Sequence, residues 1–178
     1  MDNFLVITGG PGSGKTTLVE ALANLGLACM PEAGRAIIMH QMAIGGSALP
    51  WADRAAFSEQ MLGWDMRSHR EAMAAGGPVI FDRGIPDIIG YLRLCELPVP
   101  PHMIRAAAHF RYHRRVFIAP FWPEIFTQDS ERRQDAAEAR ATHDAMARVY
   151  AEFGYELLLL PLTPAADRAR FVLDAIGA

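Results

Sequence analysis

Gly9-Gly10-Pro11-Gly12-Ser13-Gly14-Lys15-Thr16 puts a lysine and a hydroxyl at the end of a glycine-rich turn. Lys15 is the only lysine of the chain, and every other strongly basic side chain is an arginine. An ammonium is a compact point charge suited to sitting between phosphate oxygens, where a planar guanidinium is not. The octet fits G-x-x-x-x-G-K-[ST], the phosphate-binding loop (P-loop). In such a loop the backbone N–H groups from Gly9 to Thr17 cradle the β-phosphate, Lys15 reaches the β and γ oxygens, and the Thr16 hydroxyl ligates Mg²⁺. The expected chemistry is binding of a nucleoside triphosphate with its metal.

A second group follows from Val79-Ile80-Phe81-Asp82, an apolar run that ends in a carboxylate. A P-loop protein needs such a carboxylate beside the loop as a further Mg²⁺ contact, which makes Asp82 the metal candidate together with Thr16. Arg83 comes next and can fork onto a phosphate or carboxylate of a second substrate; the competing reading is a capped turn with a surface ion pair. Glu32 and Arg35 stand one helical turn apart and can face one cleft, Glu32 as a second carboxylate able to take a proton. A glutamate in a first turn also complements a helix dipole, and that reading stays open. Asp87 and Tyr91 share a face at i, i+4 and are candidates to line an acceptor pocket, or else a helix-initiating Asp and a packed Tyr. Arg132 and Arg133 follow an acidic turn at Asp129-Ser130-Glu131. On a closing flap they would meet charge developing on a transferred phosphoryl group, as an arginine finger supplied in cis; otherwise they belong to a solvated, salt-bridged helix face. Phe57, Met61 and Trp64 recur at helical spacing and read first as core, with Trp64 or Trp51 able to stack on an aromatic acceptor.

These groups need elements to hold them. Five apolar runs read as strands buried on both faces: Phe4 to Thr8, Leu27 to Met30, Pro78 to Phe81, Arg115 to Ala119 and Glu156 to Leu160. Helical stretches lie between them, from Lys15 to Asn24, near Glu32 to Met42, Ala52 to Ala74, Pro86 to Leu94, Pro101 to Phe110, Ser130 to Phe153 and Pro164 to Ile176. Such alternation implies a parallel sheet covered by helices on both faces, with ligands at the carboxyl ends of the strands.

The 178 residues, 51% apolar, suffice for one domain with a full core. A net charge of −3 offers no basic footprint for polymeric nucleic acid or an anionic membrane. Cys29 and Cys95 have no C-x-x-C spacing and read as two reduced thiols, which favours the cytoplasm. No apolar run reaches membrane-span length, and the histidines show no zinc spacing. A guanine-reading N-K-x-D motif is excluded, because there is no second lysine.

The loop, Met30-Pro31-Glu32-Ala33-Gly34-Arg35, Val79 to Gly84 with Asp87 and Tyr91 beyond it, and Asp129-x-x-Arg132 resemble the single-domain P-loop "AAA domain" proteins of bacteria. That group is similar to the nicotinamide riboside kinase domain of NadR-type proteins and, more distantly, to nucleoside and nucleotide kinases. The resemblance implies a three-layer α/β/α sandwich with a five-stranded parallel sheet in 2-3-1-4-5 order, a helical lid at about 121–141, and Mg-ATP as donor. It also implies roles for Asp82 and Arg83 in metal or acceptor chemistry, and base selection by backbone around Pro161 to Pro164. The resulting expectation is one domain over residues 1–178 that transfers phosphate from ATP to a small acceptor such as a nucleoside, nucleotide or nicotinamide riboside-like compound. The alternative is a nucleotide-dependent switch or slow NTPase with a protein partner.

Overall fold

A computed structural model of the chain describes residues 3–126 and 135–177. Five strands, β1 (Phe4–Gly9), β2 (Ala28–Met30), β3 (Val79–Asp82), β4 (Arg115–Ala119) and β5 (Glu156–Leu159), form a parallel sheet in the order β2-β3-β1-β4-β5. The helices among the described residues are α1 (Lys15–Asn24), α2 (Ala33–Ile44), α3 (Arg54–Ala72), α4 (Ile85–Leu94), α5 (Pro101–His109), α6 (Ala136–Glu152) and α7 (Ala165–Ile176). The strand order expected from the resemblance is the one observed.

The sheet separates two apolar layers. On one face Leu5, Ile7, Ile80 and Phe117 pack against Leu18 and Leu22 of α1 and Val172 of α7. On the other, Phe4, Val6, Val79 and Phe81 meet Ala72 of α3, Tyr112 and Tyr150. Alternate residues of one strand therefore serve opposite layers, as the pleat requires.

One expectation is corrected. Burial on both faces holds for β1 and β3, but β2 and β5 are the sheet's edges and are only partly covered. Leu159 is 59% exposed despite belonging to an apolar run. Apolar content alone does not separate a central strand from an edge strand, because only strand order decides which has neighbours on both sides. Most helix ends shift by a residue or two, as at α3, which begins after Asp53, whose carboxylate accepts the Ala56 N–H at 2.9 Å and so caps it; α6, expected from Ser130, which lies outside the described residues, begins at Ala136 behind an extended Asp135 cap. Among the described residues no helix is long and apolar enough to cross a membrane.

The order 2-3-1-4-5 makes β1 the centre of the sheet, so the loop that leaves β1 opens between the carboxyl ends of β3 and β4. Phosphate loop, Asp82 and the turn after β4 therefore converge.

Candidate nucleotide site

The chain leaves β1 at Gly9, turns, and enters α1 at Lys15. Gly14 caps α1 in the left-handed region, φ 76°, with no side chain closing the helix end. A side chain is strained in that conformation, which is why glycine stands there. A helix N-terminus that no side chain caps is the arrangement that accepts an anion. Gly10 has a different reason: a Cβ at that position would collide with the Ala139 carbonyl of α6. The loop thus runs directly against α6. Lys15 is buried, and its Nζ donates to the Gly10 carbonyl at 2.6 Å and to Ser13 Oγ at 3.3 Å. Beside the loop lies a cavity of about 370 Å³, bordered by Lys15, Thr16, Thr17 and Glu32 on one side and by Trp122 and Arg168 on the other. Phe126 lies against Gly12 and Ile125 against Gly14, and Ile125 also borders the cavity.

At the carboxyl end of β3, Asp82 is 9% exposed and its Oδ1 has no hydrogen-bond partner among the described residues. Burial pushes its carboxyl above the usual range and Glu32 adds to this, while Lys15 and Arg83 act in the opposite sense. A buried, unpartnered carboxylate oxygen near Lys15 fits a hard cation. With Thr16 on the first turn of α1, these are the residues that would hold Mg²⁺. Among the described residues no group of three or more His, Cys, Asp and Glu side chains could hold a metal ion.

Arg83 adopts φ 72°, a left-handed conformation uncommon for a side chain of this size. Four bonds hold it there. Its backbone N–H donates to Ile7 at 3.0 Å, Nε to Glu32 Oε1 at 3.1 Å, and Nη1 to the Gly9 carbonyl at 3.1 Å and Asp87 Oδ1 at 3.0 Å. Burial opposes its charge, but Glu32, Asp87 and Asp82 together hold it firmly protonated. Arg83 therefore joins the phosphate loop to both carboxylates, and Glu32, the N-cap residue of α2, directs its carboxylate to Arg83 rather than to its own helix end.

Asp87 is buried, and its oxygens are taken. Oδ1 accepts from Thr8 Oγ1 at 2.5 Å and from Arg83, and Oδ2 accepts from the Gly84 N–H at 3.1 Å and Tyr150 Oη at 2.7 Å. Four donors fill the acceptor positions of a carboxylate, so these partners, not an acceptor molecule, account for Asp87. Tyr91 lies with Ala33, Ile37 and Phe57 in the cluster between α2, α3 and α4, its ring edge-on to Phe57 at 5.7 Å. Met61 and Trp64 pack on the same cluster, as the core reading of that stripe expects, while Trp51 is 64% exposed. Arg35 lies exposed on α2. Arg132 and Arg133, with Asp129, lie outside the described residues.

Two residues of this region were not singled out from sequence. Asp65 of α3 is pushed up to about 8, first by burial and then by Asp87 and Glu32, against Arg83. It belongs electrostatically to the same carboxylate group. Arg168 of α7 is buried against the loop, with Nη1 donating to the Ser13 carbonyl at 2.7 Å. A charged residue one step from a helix's apolar stripe was the available signal in both, beside Trp64 for Asp65 and beside Ala169 for Arg168.

The fold is shared with solved structures. A NadR protein in complex with NR superposes with a TM-score of 0.77 at 20% identity over 99% of this chain. The match takes in 52% of that protein, so the chain spans about half its length. A deoxyadenosine kinase from M. mycoides (TM-score 0.64, 12% identity) is matched over 98% of both chains. Shikimate kinase from Acinetobacter baumannii in complex with shikimate (TM-score 0.59, 16% identity) is matched over 99% of this chain and 93% of its own. At these identities the likeness is one of fold. Comparison with curated proteins gives no match. A family model described as AAA domain matches residues 4–168, nearly the whole of the sheet and loop just described, and the chain belongs to that family.

Proposed function

We propose that the chain, acting as one unit, is a Mg-ATP-dependent phosphotransferase for a small polar acceptor of the nucleoside, nucleotide or nicotinamide riboside-like class, working in the cytoplasm. The observation that carries this is the buried, unpartnered Asp82 oxygen at the end of β3, close enough to Lys15 to feel its charge. The likeness of fold to the NadR protein that binds NR and to two kinases supports it.

In this reading the loop N–H groups and Lys15 hold the β and γ phosphates, and Asp82 with Thr16 holds the metal. When bound, Mg²⁺ would neutralise phosphate charge and draw electron density from the transferred group. Glu32 takes the acceptor proton, because Asp82 is committed to the metal and Asp87 to its four donors. Arg83 keeps Glu32 in place, and the part of its guanidinium not bonded to Glu32, Gly9 and Asp87 is directed to the acceptor. Arg35 and Tyr91 remain candidates for the acceptor's outer contacts, and Arg132 or Arg133 for the charge of the transition state. Most of the rate enhancement then comes from positioning and fixed charge.

A screen of ADP release from ATP and Mg²⁺, with and without nucleosides, nucleotides and nicotinamide riboside, tests the reading. Turnover stimulated at least about tenfold by one acceptor, equal to about 1.4 kcal/mol of barrier, supports it. Hydrolysis indifferent to every acceptor replaces it with the NTP-dependent switch.

A further inference from the structure

The cavity beside the phosphate loop extends to residues that follow β4 and β5. Trp122, Thr163, Pro164, Ala165 and Arg168 border it there. Arg168 is only 1% exposed. Its fork is fixed on two sides, by Nε donating to the Pro161 carbonyl at 2.8 Å and Nη1 donating to the Ser13 carbonyl at 2.7 Å. A third constraint comes from Trp122, whose ring centroid lies 4.9 Å from the guanidinium carbon. Nη2 remains, buried and with no hydrogen-bond partner among the described residues, and the Thr163 hydroxyl is in the same condition.

Buried donors are nearly always paired, and one left unmade costs about 1–3 kcal/mol or more when charged. Two such groups border one cavity, at the end away from Glu32 and next to the loop that would hold phosphate. They call for a bound molecule that carries hydrogen-bonding atoms beyond its phosphates. No acidic side chain lines this end, so the strongest donor there is Arg168. A purine suits that arrangement, because its ring nitrogens accept and an exocyclic group lies beside one of them.

We infer that Arg168 is a specificity residue for the base of the nucleotide, donating Nη2 to a purine ring nitrogen while the Thr163 hydroxyl meets the neighbouring exocyclic group. The inference rests on the nucleotide half of the reading above and is independent of phosphoryl transfer. Trp122 keeps the guanidinium in plane, and the bond to Ser13 ties base recognition to the phosphate loop.

The test is calorimetric binding of ATP and of inorganic tripolyphosphate, each with Mg²⁺, to the wild-type protein, Arg168→Met and Arg168→Lys. Loss of the Ser13 brace alone weakens both probes alike, whereas loss of base reading weakens ATP alone. The expected result for Arg168→Met is a rise of at least about tenfold in the ratio of the ATP Kd to the tripolyphosphate Kd, equal to about 1.4 kcal/mol, with partial recovery in Arg168→Lys. An unchanged ratio overturns the inference. Should Arg168→Met not fold, the wild-type protein is titrated with 1-, 3- and 7-deaza-ATP. One analogue must bind at least about fivefold more weakly than ATP, as for one lost hydrogen bond; equal binding of all three also overturns it. Wild-type protein that binds neither ATP nor tripolyphosphate overturns the nucleotide reading itself, and this inference with it. Tight ATP binding without any acceptor turnover sinks only the kinase.

Discussion

Lys15 is buried, yet its ammonium is aimed along the loop at the Gly10 carbonyl and Ser13 Oγ and packs in no apolar layer. Replacing it by Ala should therefore leave the fold standing and remove at least about 3 kcal/mol of transition-state stabilisation, as loss of one preorganised charge contact does. Circular dichroism with steady-state turnover checks this; a folded variant of wild-type activity sinks the phosphate-loop role. Asp82→Asn keeps the shape of the side chain and loses its charge. The Mg²⁺ concentration needed for half-maximal activity should rise by about tenfold or more while metal-free nucleotide binding stays within about twofold, the pattern of a lost metal oxygen. If titration shows an unchanged metal requirement, the ion is held elsewhere, with Glu32 next in line. Lys15 and Asp82 were legible in the sequence because each sits at a fixed place in a local pattern, a glycine loop and a strand end. Asp65 and Arg168 were not, since the groups that tie them to the site, Asp87, Glu32 and Arg83 for Asp65 and Ser13 for Arg168, are about 20 to 155 residues away in the chain and no local spacing encodes such a contact. Asp87 and Tyr91 show the converse. Their i, i+4 spacing on α4 is real, but Asp87 turns to Thr8 and Tyr150 while Tyr91 turns to Phe57.

Helices α4 and α6 meet through Tyr150 and Asp87, and this contact connects the carboxylate group to the rest of the fold. Tyr150 is fully buried, and burial with the neighbouring Asp87 raises its hydroxyl well above the usual tyrosine range, so it remains a donor at every working pH. Tyr150→Phe removes that donor and leaves Asp87 Oδ2 with the Gly84 N–H alone. Stability should fall by about 1–3 kcal/mol, measurable by urea denaturation. Turnover should fall more than ATP affinity, because Asp87 positions Arg83 and, through it, Glu32. A variant of unchanged stability and rate would mean that the Asp87 network is looser than its distances indicate. At this scale the sequence was informative about element type and order. Strand and helix alternate as the apolar runs suggest, and the glycine turns separate them. Apolar content was silent on which strands are edges, because β2 and β5 are as apolar as their central neighbours; only the order implied by the resemblance placed them there. Gly10 shows how tightly element packing governs a motif residue: the phosphate loop needs a flexible backbone, but α6 separately forbids a side chain there.

The fold gathers Glu32, Asp65, Asp82 and Asp87 near one arginine, and that charge imbalance acts on the stability of the whole molecule. Asp65 is pushed up to about 8 by burial and by Asp87 and Glu32, against an ordinary aspartate value of about 3.9 in the unfolded chain. Between those two values the folded state keeps a proton that the unfolded state has lost. Stability therefore falls as pH rises from about 4 to about 8 on account of this residue, and levels off above that range. Asp82 is shifted in the same direction by burial and Glu32, so it adds to the slope where its own shift begins. Asp65 is only partly shielded from water, which makes the slope shallower than that of one full proton. Asp65→Asn replaces the carboxyl by a neutral group of the same size and should remove this contribution. Its melting temperature should exceed that of the wild-type protein at pH 8.5, and the gap should close as the pH is lowered to 5. Differential scanning fluorimetry of both proteins across that range reads the difference directly. A gap that is constant with pH, or that widens on acidification, would show that Asp65 is ionised throughout and held by Arg83, in which case the arginine outweighs the carboxylates around it.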